Sequence, residues 1–437
     1  MARTARPTWL LATIAFALTA FSSAAQPAAA LEPGFRQLEG RHLTLITDAP
    51  AKEDLSELTK TFDAAFPLWC QYFGLDADKL ADWHVTGYLM KSREHFQEAG
   101  YWQADLPPFP NGYSAGKQFW LYDQASPYYR SHLLLHEGVH SFMFMHLGQG
   151  GPTWYMEGMA ELLATHHWHD GRLTVGWFPT SSGEVQQLGR IEIIQNALAA
   201  GRPHSVADVL ALHGATAVGN DGYGWAWGLA ALLDGHPRYR QRFRTLGSLL
   251  RSGDFEPQFR RLFADDWDRL TAEWQAYVAA VDYGFDFDRM AIDFRPGQPL
   301  AAGEGRATID VDHGWQSSGL RLEAGKTYEL TARGRYRIVA EPTTWWCEPG
   351  GVTIRYYRGR PLGVLLGAVA ADPPATGNAA DATPIDSWAN PNMIGLHATV
   401  APAETGTLYL RVNEPPGELA DDAGSLELIV REAAAPQ

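Results

Sequence analysis

The chain has 437 residues, 46% of them hydrophobic and 19% charged, with a formal net charge of −15. That length holds a sizeable core and more than one domain. So acidic a balance excludes nucleic acid as an expected partner, because phosphate binding needs clustered Lys and Arg, and two cysteines exclude a disulfide scaffold.

Residues 1–30 have three parts: a basic "MARTARP", an apolar "WLLATIAFALTAF" and a small-residue "SSAAQPAAA". This order predicts a secretory signal peptide. The apolar run is shorter than the roughly 20 residues of a membrane span, and no later segment approaches that length. The expectation is an exported bacterial protein, secreted or periplasmic, whose mature chain does not span a membrane. An oxidising compartment permits a Cys70–Cys347 bridge, whereas "FPLWCQYFG" around Cys70 is an apolar helical setting that suits a buried free thiol.

After the leader, "RHLTLITDA", "WHVTGYLM" and "GYSAGKQFWLYDQ" predict strands, from their β-branched and aromatic residues between turn signals. "KEDLSELTKTFDAAFPLWCQYFG" predicts a helix closed by Gly74. From Pro127 to Glu273 the pattern is mostly helical. "DFRPGQPLAAGEG" then reads as a linker. Beyond it, short strands at fairly regular spacing predict an antiparallel β-sandwich, and "REAAAPQ" reads as a frayed tail. The expected fold class is α+β: a signal peptide at 1–30, a mixed sheet with a helical subdomain at 31–292, a linker at 293–302 and a sandwich at 303–432.

Within the helical part, "ASPYYRSHLLLHEGVHSFMFMHLGQGG" is bounded by Ser126 as N-cap, Pro127 at the first helical position and Gly148 as a left-handed stop. His136 and His140 then lie one turn apart on one face and can reach a single ion. Glu137 is rotated around the axis, where it can reach a water on that ion. The alternative is two core histidines hydrogen-bonded to neighbours. A catalytic zinc site takes three protein ligands. The next predicted helix, "TWYMEGMAELLATHHWHDG", offers Glu157 as the third and Glu161, one turn on, to hold a ligand imidazole by its other N–H. His166, His167 and His169 read as a cationic helix C-terminus or a second metal cluster. "GRLTVGWFPTSSGEV" reads as a loop near the cleft, with Trp177 and Phe178 either lining it or packed in the core.

"HEGVH" followed by "PTWYMEGMAELLA" resembles the gluzincin zinc metallopeptidases, and among them the bacterial peptidase-MA-like group. Its pattern is HExxH, a short loop, then Pro-x-Trp-x-x-Glu-Gly-x-Ala-Glu. The resemblance implies Zn²⁺ on His136, His140 and Glu157, Glu137 as general base, and a peptide or protein substrate. It also implies that a tyrosine on a later helix donates to the oxyanion, for which Tyr223 in "GNDGYGWAWGLAALLDG" stands in the right order; Tyr223 as a packing aromatic is the alternative. In this family an edge strand pairs with the extended substrate, and "GYSAGKQFWLYD" looks like it. The aminopeptidase motif Gly-x-Met-x-Asn is absent, which speaks against that activity.

The last third resembles the calcium-dependent galactose-binding bacterial lectins, through "WQSSGLRLEAGKTYELTARGRY", "RGRPLGVLLGAV" and "LYLRVNEPPGELADDAGSLELIV". That resemblance implies Ca²⁺ held by a final loop, here Asn413, Glu414, Asp421 and Asp422, and a glycan or cell-envelope partner. The loop departs from the lectin pattern. Other readings are a catalytically silent binding protein on a metallopeptidase scaffold and a zinc hydrolase of a non-peptide bond; the presence of Glu137 favours an enzyme.

Overall fold

The computed structural model describes residues 31–213, 219–371 and 386–433. Residues 1–30, expected as a signal peptide, and the last residues of the expected tail lie outside the described residues. The fold class is α+β. The first sheet contains β1 (Arg36–Glu39), β2 (Leu43–Thr47), β3 (Val85–Met90), β4 (Gly112–Ala115) and β5 (Gln118–Tyr122), in the order β1-β2-β3-β5-β4. Strands β2, β3 and β5 run parallel, and β1 and β4 are antiparallel edges. The stretch from Gly112, expected as one strand, is a hairpin, because Gly116 takes φ 60° and turns the chain.

Helices α1 (Ser56–Tyr72) and α2 (Arg93–Glu98) flank β3 in sequence. Next come α3 (Pro127–Phe142) and α4 (Thr153–Ala164). Helix α3 starts where the Ser126 hydroxyl accepts from the Tyr129 N–H at 3.2 Å, with Pro127 at its first position. It runs into one π-helical turn, Met143–Leu147, before Gly148 stops it at φ 88°. Helix α4 ends sooner than expected. His166–His169 form β6, paired with β7 (Arg172–Val175), not a helix C-terminus. The Asp170–Gly171 pair takes φ 48° and 71°, as a tight hairpin turn requires, and tertiary pairing overrides helical continuation. The same hairpin takes Arg172–Val175 out of the expected loop.

Helices α5 (Arg190–Ala199), α6 (Val206–Leu210), α7 (Asn220–Gly235), α8 (Arg240–Leu249), α9 (Phe255–Leu262), α10 (Trp267–Ala280) and the short α11 (Phe287–Met290) follow. Helix α4 is nearly all buried between α3 and α7. A Cβ on Gly158 would meet the Ala226 carbonyl oxygen at 2.8 Å, so the glycine of "MEGMAE" sets that approach.

Two further sheets share a core that includes Leu322, Leu330, Leu410 and Val430. One orders Asn392–Met393, Leu365–Ala370, Gly406–Val412, Gln316–Leu322 and Gln298–Pro299; the other orders His397–Val400, Tyr328–Arg333, Ser425–Glu432 and Glu304–Asp310. All pairs are antiparallel except Gln298–Pro299, which runs parallel to Gln316–Leu322. Asp293 also bridges to Gln316, so the Pro- and Gly-rich connection is stitched to the sandwich. Cys70 and Cys347 are free, lie in different core clusters, and burial pushes both thiols up to about 11. Among the described residues, no helix is long and apolar enough to cross a membrane.

Candidate metal centre

Every residue of α3 from His132 to Phe142 is buried, so its polar side chains are held by the packing of the helix against α1, β4 and β5. The His136 and His140 Nε2 atoms lie 3.1 Å apart. Glu157 Oε2, arriving on α4, lies 3.3 Å from each. Four-coordinate zinc with bonds of about 2.0–2.1 Å has ligand-to-ligand edges of roughly 3.3–3.4 Å. The triangle therefore has nearly the right size, and neutral imidazole and carboxylate are the right donors. Glu157 Oε2 is also a buried oxygen with no aligned hydrogen-bond donor, despite its two close neighbours. Burial pushes the Glu157 carboxyl up, but the His140 and His136 imidazoles outweigh it and hold it at about 2. Burial depresses the His136 imidazole, but Glu157 and Glu161 outweigh that and raise it to about 10. Without an ion the cluster is an imidazolium–carboxylate pair, and a divalent cation competes with that proton for the same atoms.

Glu161 does not face this triangle directly. Its Oε1 lies 3.3 Å from His136 Nδ1, at ion-pair distance but not aligned as a hydrogen bond. Arg190, the first residue of α5, grips the same carboxylate in a fork, Nε to Oε2 and a terminal nitrogen to Oε1, both at 2.8 Å. His132 Nε2 lies 3.1 Å from Oε2. Burial raises the Glu161 carboxyl, but Arg190 and His132 dominate and hold it well below the usual carboxylate range. Arg190 was not foreseen from the sequence, although a lone arginine opening an apolar helix is a signal, since burying it demands a carboxylate. His132, Glu161 and a nitrogen of His136 form a second convergent trio, but the guanidinium already neutralises its carboxylate.

Glu137 is buried beside the triangle, and desolvation raises its carboxyl against the lowering effect of His136 and His140. It sits against the edge strand: a Cβ on Gly112 would meet Glu137 Oε1 at 2.3 Å, so a larger residue there would displace the carboxylate. Ser114 Oγ and Ser141 Oγ, 2.8 Å apart, tie the same strand to α3. Tyr223, in the first turn of α7, places its ring edge-on to the His136 ring at 5.6 Å, with the Arg190 guanidinium 5.5 Å from its own centroid. Burial first, then the charges of Glu157 and Glu137, push its hydroxyl far above the usual tyrosine value, so it stays a proton donor at neutral pH. Trp177 stacks on His167 and Phe178 on Trp227, so each has a packing partner.

In the sandwich, the final loop divides. The Asn413 amide donates to the Tyr357, Arg360 and Pro361 carbonyls at 3.0–3.2 Å, and Asp421 Oδ2 accepts from the Ala340 N–H at 2.8 Å. Those side chains are committed to the backbone. Glu414 and Asp422 are 0% and 5% exposed, and all four carboxylate oxygens lack a hydrogen-bond partner among the described residues. Burial, then the Asp422 charge, push Glu414 up to about 9; burial, then Asp421 and Asp312, push Asp422 up to about 8.

No protein-family model matches the chain, and no curated protein matches it. Among solved structures, the chain is similar to one described as the EclA N-terminal domain, a PllA-like lectin, at 17% identity and a TM-score of 0.22, covering 30% of this chain and all of that one. It is similar to IMPa from Pseudomonas aeruginosa in complex with an O-glycopeptide, at 13% identity and a TM-score of 0.16, covering 64% of this chain and 27% of that one. IMPa metallopeptidase in complex with T-antigen gives 12% identity and a TM-score of 0.16, over 91% of this chain and 42% of that one. This chain thus spans less than half the length of either IMPa chain, and likenesses this weak carry no conclusion about fold or activity.

Proposed function

We propose that the chain is a zinc-dependent peptidase of gluzincin type, exported through residues 1–30, with the peptidase in 31–292 and an appended lectin-like sandwich in 303–432. The observation that carries this reading is the triangle of His136 Nε2, His140 Nε2 and Glu157 Oε2, closed to 3.1–3.3 Å with Glu137 buried at its side. Zinc bound there supplies a Lewis acid that polarises a water and the scissile carbonyl.

The protein's own residues do the rest. His136 and His140 present neutral Nε2 atoms, and Glu161 steadies His136 from behind with Arg190 as its anchor. Glu137 takes the proton from the attacking water on its carboxylate and passes it to the leaving amine. Its position against Gly112 places that carboxylate where the edge strand β4 passes. A substrate strand lying along β4 would use the ladder groups that, among the described residues, have no strand partner. Tyr223, kept protonated, donates its hydroxyl hydrogen to the oxygen that gains charge.

In the sandwich, Glu414 and Asp422 support a second element of this reading, a Ca²⁺-class cation. Hard oxygen donors without competing hydrogen bonds suit it.

The deciding experiment uses Glu137→Gln and His136→Ala in the full chain. Glu137→Gln should keep about one zinc per chain and lose hydrolysis of a peptide library, while His136→Ala should lose the zinc. Unchanged hydrolysis by Glu137→Gln rejects the base, and cleavage of an ester but no peptide redirects the reading to a non-peptide bond.

A further inference from the structure

The carboxylate loop of the sandwich is not at a free end of the molecule. Its middle, Pro416 to Leu419, lies against the first domain. The Asp286 N–H donates to the Pro416 carbonyl at 3.1 Å. A Cβ on Gly417 would meet the Gly284 carbonyl oxygen at 2.7 Å, so the two backbones touch. Leu419 is 1% exposed and belongs to the core cluster of the first domain, with Phe285 and Met290. Glu414 and Asp422, with their unpartnered oxygens, stand at the two ends of this docked segment.

The surface it docks on leads back to the metal centre. The Gly284 N–H donates to the Pro179 carbonyl at 2.8 Å, and Gln195 of α5 donates to the Val281 carbonyl at 2.9 Å. The Tyr283 hydroxyl donates to Glu192, also on α5, at 2.6 Å. Helix α5 begins with Arg190, which grips Glu161.

We propose that a Ca²⁺-class cation held by Glu414 and Asp422 is a clasp between the domains, fastening Pro416–Leu419 onto Val281–Asp286, and that it has no open face for a sugar. This rests on the cation reading of the loop given above. Two facts carry it beyond that reading. A lectin's cation must keep coordination positions open to solvent for sugar hydroxyls. Here all four candidate carboxylate oxygens are closed off from solvent, and the segment between them is occupied by the neighbouring domain. Two carboxylates supply up to four of the roughly six to eight oxygens that Ca²⁺ takes. Binding at both ends of the loop restricts its backbone, and the docked segment is restricted with it. Whatever orders Val281–Asp286 also orders the three hydrogen bonds that seat Pro179 and α5, by linkage between the two sites.

The test uses the full chain, purified free of Ca²⁺ and kept at one equivalent of Zn²⁺, with CaCl₂ as the added probe and amide hydrogen exchange as the readout. Ca²⁺ should slow exchange about tenfold or more both in 414–422 and in 281–290. The Glu414→Gln and Asp422→Asn variants should lose both effects. Gly417→Ala, which forces the two backbones apart but leaves both carboxylates, should keep protection in 414–422 and lose it in 281–290. Immobilised galactose should retain no more chain with Ca²⁺ than without. Protection confined to 414–422 in the unaltered chain leaves the cation reading standing and overturns the clasp. No protection in either segment overturns the cation reading itself. Protection of both segments in Gly417→Ala overturns the docking route, and Ca²⁺-dependent retention on galactose overturns the closed site.

Discussion

The His136–His140–Glu157 triangle and the Glu414–Asp422 loop both bury ionisable groups that lack full hydrogen bonding, but they solve the problem differently. In the first, opposite charges share the cavity: imidazoles offset Glu157, and the Arg190 fork offsets Glu161. In the second, two carboxylates are buried near one another's charge; of the guanidiniums that act on Glu414, Arg355 pairs with Glu418 and Arg411 spends its hydrogen bonds on the Val412 and Glu414 carbonyl oxygens. A compensated cluster is stable as built and can exchange a proton for a metal. An uncompensated one is penalised whenever its acids ionise, and gains most from a cation.

That contrast can be broken by substitution. Glu137→Gln should lower peptide hydrolysis about 10²–10⁴-fold, the span expected of a general base, with zinc content unchanged on elemental analysis. Arg190→Met should destabilise the protein by about 3–5 kcal/mol in urea unfolding, because it strands Glu161 in a buried site. It should also weaken zinc about 10–100-fold in competition with a chelator. Glu414→Gln should do the opposite in Ca²⁺-free buffer at neutral pH, stabilising by about 1 kcal/mol, since Glu414, pushed up to about 9, must take up a proton on folding and glutamine need not. If the two substitutions shift stability in the same direction, the distinction between the regions fails.

A pH experiment tests a buried histidine outside both regions, His166 on the β6–β7 hairpin. Burial lowers the His166 imidazole from its ordinary 6.5 to about 4. The unfolded chain therefore takes up this proton near pH 6.5 and the folded chain only near 4. Stability from this residue is full above about pH 6.5 and is lost as pH falls toward 4. Between pH 7 and 5 the loss is about 2 kcal/mol. Urea unfolding of His166→Asn at both values should show that much less pH dependence than the unaltered chain.

Legibility differed between local and distant features. Ser126, Pro127 and Gly148 marked α3 because capping is written in adjacent residues. Helical spacing alone placed His136 and His140 on one face, and Glu157 lay one short turn away. The hairpin at His166–Val175 is hidden in the sequence because the turn at Asp170–Gly171 competes with a helical pattern that runs up to it. The β4–β5 hairpin is hidden because its turn rests on Gly116 alone, inside a pattern that suits one strand. The role of Arg190 is hidden because its partner is 29 residues away, and nothing in the local pattern ties the two.

By itself the sequence determined the α+β character, the two textures either side of the Pro- and Gly-rich stretch, and the ordering of polar residues along α3 and α4. These depend on periodicity and capping, which act within a few residues. The tertiary structure alone decided that Arg190 and His132 meet on Glu161, that Glu137 rests against Gly112, and that only two of the four loop residues keep their oxygens uncommitted. It also decided that the loop leans on the first domain. Those outcomes come from packing between segments far apart in the chain, where close approach and burial choose each side chain's partner.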